Sequence, residues 1–156
     1  MGYHVVEWES RYSVGIESID EQHKQIITVC NNLCLNCHRE DENSREFFHQ
    51  GMSGLIRFLQ YHFLVEEQLL ERIDFPELSF HKDEHLKAQG FFKRYLACLG
   101  TEDELPLKRS ILLIQKQVIR HITEHDHKYA NYIHAMHRHA PWYVRDGFLP
   151  TELFLG

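Results

Sequence analysis

Residues 44–73 read SREFFHQGMSGLIRFLQYHFLVEEQLLERI. Apolar side chains recur there every three or four positions, at Phe48, Met52, Leu55, Leu59, Leu69 and Ile73. That spacing marks one face of an amphipathic helix. His62 and Glu66 fall on the same stripe, one turn apart. Ser44 suits the N-cap, and Asp74-Phe75-Pro76 stops the helix because proline cannot continue it. A helix that points an imidazole and a carboxylate into its own core face needs a reason for doing so.

The same periodicity extends to both sides. A first helix is expected from about Ser18 to His38, with Ile19, His23, Ile26, Cys30, Leu33 or Cys34, and Cys37 inward. A third runs from about Ser79 to Leu99 on His81, His85, Ala88, Phe92, Tyr95 and Leu99, with Gly100 as the residue beyond its end. A fourth starts near Leu105-Pro106, where proline suits a first turn, and continues to about His139, before Pro141. Its stripe is Ile111, Ile114, Val118, His121, Ile122, Asp126, Tyr129, Ile133 and Met136. An arm, residues 1–17, precedes the helices, and an aromatic tail, residues 140–156, follows them. Links of about 3–6 residues imply antiparallel neighbours. The expected fold class is therefore all-α, an antiparallel up-down-up-down four-helix bundle forming one domain over residues 1–156.

Composition agrees with that reading. A chain of 156 residues can bury roughly 70% of its unfolded surface in one core. Its net charge of −6 gives no support to nucleic-acid binding, which needs a basic face. No export signal opens the chain, and no apolar run approaches the ~20 residues of a membrane span, so the expected address is cytoplasmic with no membrane partner. Cys30, Cys34, Cys37 and Cys98 are expected as free thiols in such a compartment.

Seven ionisable groups lie on the four buried stripes: His23; His62 and Glu66; His81 and His85; His121 and Asp126. Burying such groups unpaired costs several kcal/mol each. One interior histidine is ordinarily a hydrogen-bonded core residue, but seven groups on four helices ask for a common cause. Counted along antiparallel rods at ~1.5 Å per residue, they agree in height within about a turn or two. Imidazole and carboxylate together suit iron. Seven ligands exceed what one iron accepts, whereas two metals bridged by both carboxylates, with the histidines split three and two, would use them all. One metal then keeps an open position if an oxo or hydroxo bridge completes the core. His121 and Asp126 are spaced i,i+5, and spacing alone would not select Asp126 over His125 or Glu124.

In order, these motifs are a lone His, HxxxE, HxxxH and HxxxxD. With Trp8, Tyr12 to Ile16, Ile19 to Lys24, His62 to Glu67, Phe75-Pro76, His81 to His85, His121-Ile122, Asp126 and Tyr129, they resemble the hemerythrins, especially the bacterial ones. HxxxH alone is weak; the ordered set of four is specific and covers roughly residues 6–136. The resemblance implies two iron ions (Fe2+/Fe3+) with an oxo or hydroxo bridge. It assigns His81, His85 and His121 to the saturated iron, His23 and His62 to the iron with the free site, and Glu66 and Asp126 to the bridges. Dioxygen would bind at the free site, and nitric oxide, peroxide or azide-like anions are related ligands. Ile26, Val118 and Ile122 fall where the family lines its oxygen pocket. One position departs from the pattern. The family usually has Trp one turn before the fourth-helix His, and this chain has Gln117. An amide there is expected to admit water or to donate a hydrogen bond in the pocket.

The implied function is an oxygen carrier, store or sensor. The alternative is an enzyme using the same centre as an oxidase, peroxidase, or scavenger of nitric oxide or peroxide. Two other patterns carry less. Cys34-Leu35-Asn36-Cys37-His38 matches covalent haem attachment, but both cysteines also fit a buried helix stripe. Glu46/His49 and Glu124/His127 have ferritin-like spacing but lie ~25 Å apart in height. The remaining histidines, His125 among them, read as surface groups.

Overall fold

A computed structural model describes residues 5–37, 41–102 and 106–139, with side chains to residue 136. A 3-10 turn, Ser10–Tyr12, is followed by α1 (Glu17–Asn36), α2 (Glu42–Arg72), α3 (Leu78–Cys98) and α4 (Leu107–His121). A π turn, Ile122–Asp126, joins α4 to α5 (His127–His139). The last three segments follow one another without a break, so the described residues form four helical rods and no strand. These pack as a four-helix bundle. No helix among the described residues is long and apolar enough to cross a membrane.

The start of α2 differs from the sequence expectation. Asp41, not Ser44, is the N-cap: its carboxylate accepts the Ser44 N–H at 3.0 Å and the Ser44 hydroxyl at 2.8 Å. A carboxylate satisfies the same free N–H and also favours the positive end of the helix dipole. The stop is also more specific than Pro76 alone. Asp74 adopts a left-handed φ of 49°. Its N–H donates to the Glu71 carbonyl (3.2 Å) while the Phe75 N–H donates to that of Leu70 (3.0 Å). This Schellman arrangement closes the helix before proline is reached, and it seats Phe75 in the same apolar cluster as Leu70. Gly100, at φ 73°, ends α3 as expected.

The core is divided. The larger apolar cluster joins Ile26, Cys30, Phe48, Leu55, Leu59, Phe92, Ile111 and Ile114. A second, at the other end, joins Ile16, Ile19, Leu69, Leu70, Ile73, Phe75 and Tyr129. On each rod the ionisable residues lie between the two. His23 sits between Ile19 and Ile26, and His62 and Glu66 between Leu59 and Leu69. The arm seals one side: Val6 exchanges two hydrogen bonds with the Asn31 amide (2.9 and 2.8 Å), and Asp20 accepts from Ser13 (2.6 Å) and from the Val14 N–H (2.8 Å). The rods are not evenly spaced. α2 approaches α1, α3 and even the diagonal α4, and α1 approaches α4, whereas the backbones of α3 and α4 hardly meet.

Candidate metal centre

All seven groups singled out in the sequence converge in the layer between the apolar clusters. His23, His62, Glu66, His81, His85 and Asp126 are buried, at 0–2% exposure, and His121 is partly buried. Their ligand atoms form two sets. In one, Glu66, His81, His85 and His121 offer atoms within 4.8 Å of one another; in the other, His23, His62, Glu66 and Asp126 do so.

The carboxylates span the sets. Glu66 Oε1 faces His62 Nε2 (3.5 Å) and His23 Nε2 (3.8 Å), while Oε2 faces His85 Nε2 (3.3 Å) and His81 Nε2 (3.4 Å). Asp126 does the same: Oδ2 lies 3.3 Å from His23 Nε2, and Oδ1 lies 3.1 Å from His121 Nε2 and 3.6 Å from His81 Nε2. Each acid presents one oxygen to each group of histidines.

The π turn explains why Asp126 belongs here. On an ordinary helix, residues five apart differ by about 140° around the axis and cannot share a face. A π turn widens the helix so that they can. Its neighbours face elsewhere. Glu124 is exposed and pairs with Arg120 at 2.8 Å. His125, expected at the surface, is buried at 9% exposure, with its Nε2 3.4 Å from Glu84. The widened turn that brings Asp126 inward also tucks His125 against α3.

Sequence reasoning missed the residues that orient the imidazoles. His62 Nδ1 donates to Gln22 Oε1 at 2.8 Å, and His85 Nδ1 donates to Glu67 Oε1 at 2.8 Å. With Nδ1 carrying the proton, Nε2 offers its lone pair to the centre. Both partners are direct chain neighbours of site residues, at 22 next to 23 and 67 next to 66, and both fall inside stretches that carry the family resemblance, which gave neither a role. Tyr129 donates its hydroxyl to Glu66 Oε1 at 2.6 Å. Phe63 stacks on the His85 ring at 4.0 Å.

The electrostatics ask for a cation. Burial alone would push the Glu66 and Asp126 carboxyls up, yet the encircling imidazoles hold both below their ordinary values. Burial drives His62 down to about 4, whereas the Asp126 carboxylate overcomes burial at His121 and raises it to about 9. Burial, then the Glu66 charge, pushes the Tyr129 hydroxyl well above its usual value. Two pairs of Nε2 atoms crowd together, His23 with His62 at 3.2 Å and His85 with His121 at 3.1 Å. Neither Asp126 oxygen nor His23 Nδ1 makes a well-aligned hydrogen bond, and the acid faces only imidazole Nε2 atoms, at 3.1–3.6 Å. A buried carboxylate left in that state costs several kcal/mol. Imidazole nitrogens and shared carboxylate oxygens that converge in this way fit divalent first-row metals, iron among them.

A cavity of about 540 Å³ opens beside this layer and reaches the faces of His23, His62 and His121. Ile26, Val118 and Ile122 are among the residues that line it. Gln117 lines it too, from a solvent-exposed position on the outer wall.

The competing patterns do not assemble. Cys34 and Cys37 are buried free thiols, and burial raises both, Cys34 to about 11; His38 lies outside the described residues. Glu46 bonds Gln50 on an exposed surface, far from Glu124.

Residues 14–133 match the family model of the hemerythrin HHE cation binding domain. The chain is 26% identical to a bacteriohemerythrin of Stenotrophomonas maltophilia over 132 residues, 82% of this chain and 81% of that protein. It is 27% identical to a hemerythrin-like protein of Naegleria gruberi over 126 residues, 78% of this chain and 88% of that one. The bundle, its polar layer and these matches agree: the chain belongs to the hemerythrin HHE cation-binding family.

Proposed function

We propose that this chain is a non-haem di-iron protein that binds dioxygen. His81, His85 and His121 would hold one iron, His23 and His62 the other, and Glu66 and Asp126 would bridge them beside a separate oxo or hydroxo group. The observation that carries this reading is the division of the layer: three imidazoles on one side, two on the other, and each carboxylate with one oxygen toward each side. A metal served by fewer protein ligands retains a position for a small molecule. Bound there, a pair of irons supplies the electrons and the open coordination position that dioxygen needs.

The chain's own residues do the rest. Gln22 and Glu67 fix the orientation of His62 and His85. Tyr129 holds a proton against Glu66 Oε1 and so fixes that carboxylate's rotation. Ile26, Val118 and Ile122 give the cavity an apolar wall beside His23 and His62 that suits a nonpolar diatomic.

Metal analysis and optical titration test the reading. The expected result is two irons per chain. Absorption should appear when oxygen meets the reduced protein and disappear when oxygen is withdrawn. Manganese or zinc in place of iron, or a reduced protein indifferent to oxygen, would refute it. A second reading, an oxidase, peroxidase or scavenger of nitric oxide or peroxide, draws support from the exposed Gln117 in the cavity wall, which gives water a route inward. Immediate, irreversible conversion to the ferric protein would favour it.

A further inference from the structure

The cavity beside the histidine layer is far larger than a diatomic ligand requires. At about 540 Å³ it lies in the range of sites for organic ligands, whereas a water-sized occupant takes up about 30 Å³. It fills the space where α3 and α4 stand apart. Its inner wall is apolar, with Leu59, Phe63, Phe91, Phe92 and Ile114. Its outer wall carries three cations, Lys87, Arg94 and Arg120, against one carboxylate, Glu84, in a chain whose net charge is −6. Lys87 pairs with Glu84, and Arg120 with Glu124. Arg94 has no ionic partner among the described residues. Its Nη1 lies 3.8 Å from where a Cβ on Gly90 would stand. The guanidinium therefore lies back along α3 over Gly90, a residue about 8 Å of helix rise beyond His85.

We propose that this cleft binds a monocarboxylic acid with an apolar body, its carboxylate on Arg94 and its chain lying between α3 and α4 toward the histidines. A free guanidinium offers a planar pair of donors that matches a carboxylate. The aromatic and aliphatic wall beyond it gains from covering a hydrocarbon chain. Glycine at 90 puts no side chain beneath the guanidinium. The inference stands on the cleft and on Arg94, independently of what the seven-group layer holds.

Isothermal titration of the metal-loaded protein with octanoate and with octan-1-ol provides the test. Arg94 is exposed to solvent, so octanoate is expected to bind about threefold to fivefold more tightly than the alcohol, the upper range for a charge pair at such a position. Arg94→Gln should erase that difference, and Arg94→Lys should restore part of it. Gln117→Trp, which puts an indole on the cavity wall, should weaken both ligands. Helical circular dichroism of each variant checks that the bundle persists. Failure of octanoate to bind the parent, equal affinity for acid and alcohol, or undiminished octanoate binding by Arg94→Gln would each overturn the proposal.

Discussion

Deleting Thr123 should leave both the fold and the metal site intact, although it removes a residue between two of the proposed ligands, His121 and Asp126. From His121 to Asp126 is five steps, about 500° of rotation on a regular helix, which leaves the two side chains about 140° apart. The π turn over Ile122–Asp126 absorbs that excess. With Thr123 gone, the interval becomes four steps, about 400°, and a plain α-helix then places the acid within about 40° of His121. Everything from Asp126 onward keeps its phase, so Tyr129 still reaches Glu66. The bond from the Thr123 hydroxyl to the Ile119 carbonyl (2.8 Å) is lost, a loss of about 1 kcal/mol at most for a partly exposed group. Deleting Lys128, a surface residue in regular helix, makes the contrast. That deletion turns Tyr129 by about 100° out of a fully buried site, and displacing a buried aromatic costs about 3–5 kcal/mol. Urea unfolding and iron stoichiometry, measured on both deletions and the parent, decide the matter. The Thr123 deletion should lie within about 1 kcal/mol of the parent and carry the same iron, while the Lys128 deletion loses stability and metal. Equal damage from the two deletions would refute the claim that the π turn is what carries Asp126 into the centre.

Four further outcomes are expected. Tyr129→Phe keeps the ring and removes the bond to Glu66 (2.6 Å); chemical denaturation should show a loss of about 1.5–3 kcal/mol, the usual worth of a hydrogen bond to a charged group. Gln117→Trp narrows the cavity's wet side and should slow loss of the oxygenated form followed optically; equal autoxidation rates would remove the water-access argument. Asp41→Ala should cost about 1 kcal/mol in thermal unfolding and Ser44→Ala clearly less, because the carboxylate and not the serine caps α2. Stripping the metal with a chelator should lower the unfolding midpoint, by about 2.7 kcal/mol of stability for each site held at a hundred times its dissociation constant; an unchanged midpoint would mean that the buried Asp126 oxygens are satisfied without a cation.

The stripes at 3–4 spacing made most of this architecture legible. His23, His62, Glu66, His81 and His85 lie on regular helix, so their phase could be counted from the apolar residues on either side, and each is buried where that count puts it. Asp126 falls on the stripe through Ile122 and Tyr129, but only the family resemblance selects it over His125 and Glu124, because the π turn breaks the phase between it and His121. The same break misassigned His125: counted on a regular helix it reads as a surface residue, and in the widened turn it packs on Glu84. Gln22 and Glu67 escaped because a polar residue next to a ligand looks like an ordinary solvated one until its partner on another helix is known. Asp41 lost to Ser44 for a similar reason, since both are good caps and only the backbone geometry selects between them.

The departures from an ideal bundle gather at one height, and that placement has a physical basis. Above and below the polar layer, residues such as Phe48 and Ile111, or Leu70 and Ile19, pack at 0–1% exposure with regular helical phase. At the layer itself one rod widens into a π turn, and beside it the wide spacing of α3 and α4 leaves a cavity. A layer of five imidazoles and two carboxylates cannot interlock as apolar side chains do, and it gains nothing from dry close packing. Its groups must converge on points in space instead. Two apolar clusters of independent membership hold the rods on either side. They can hold the rods on either side of the turn and of the wide α3–α4 spacing without loss of register. Local disagreement with the helical pattern is therefore confined to the one stretch where side chains are arranged for a guest and not for one another, which is where such conflicts are expected in a functional protein.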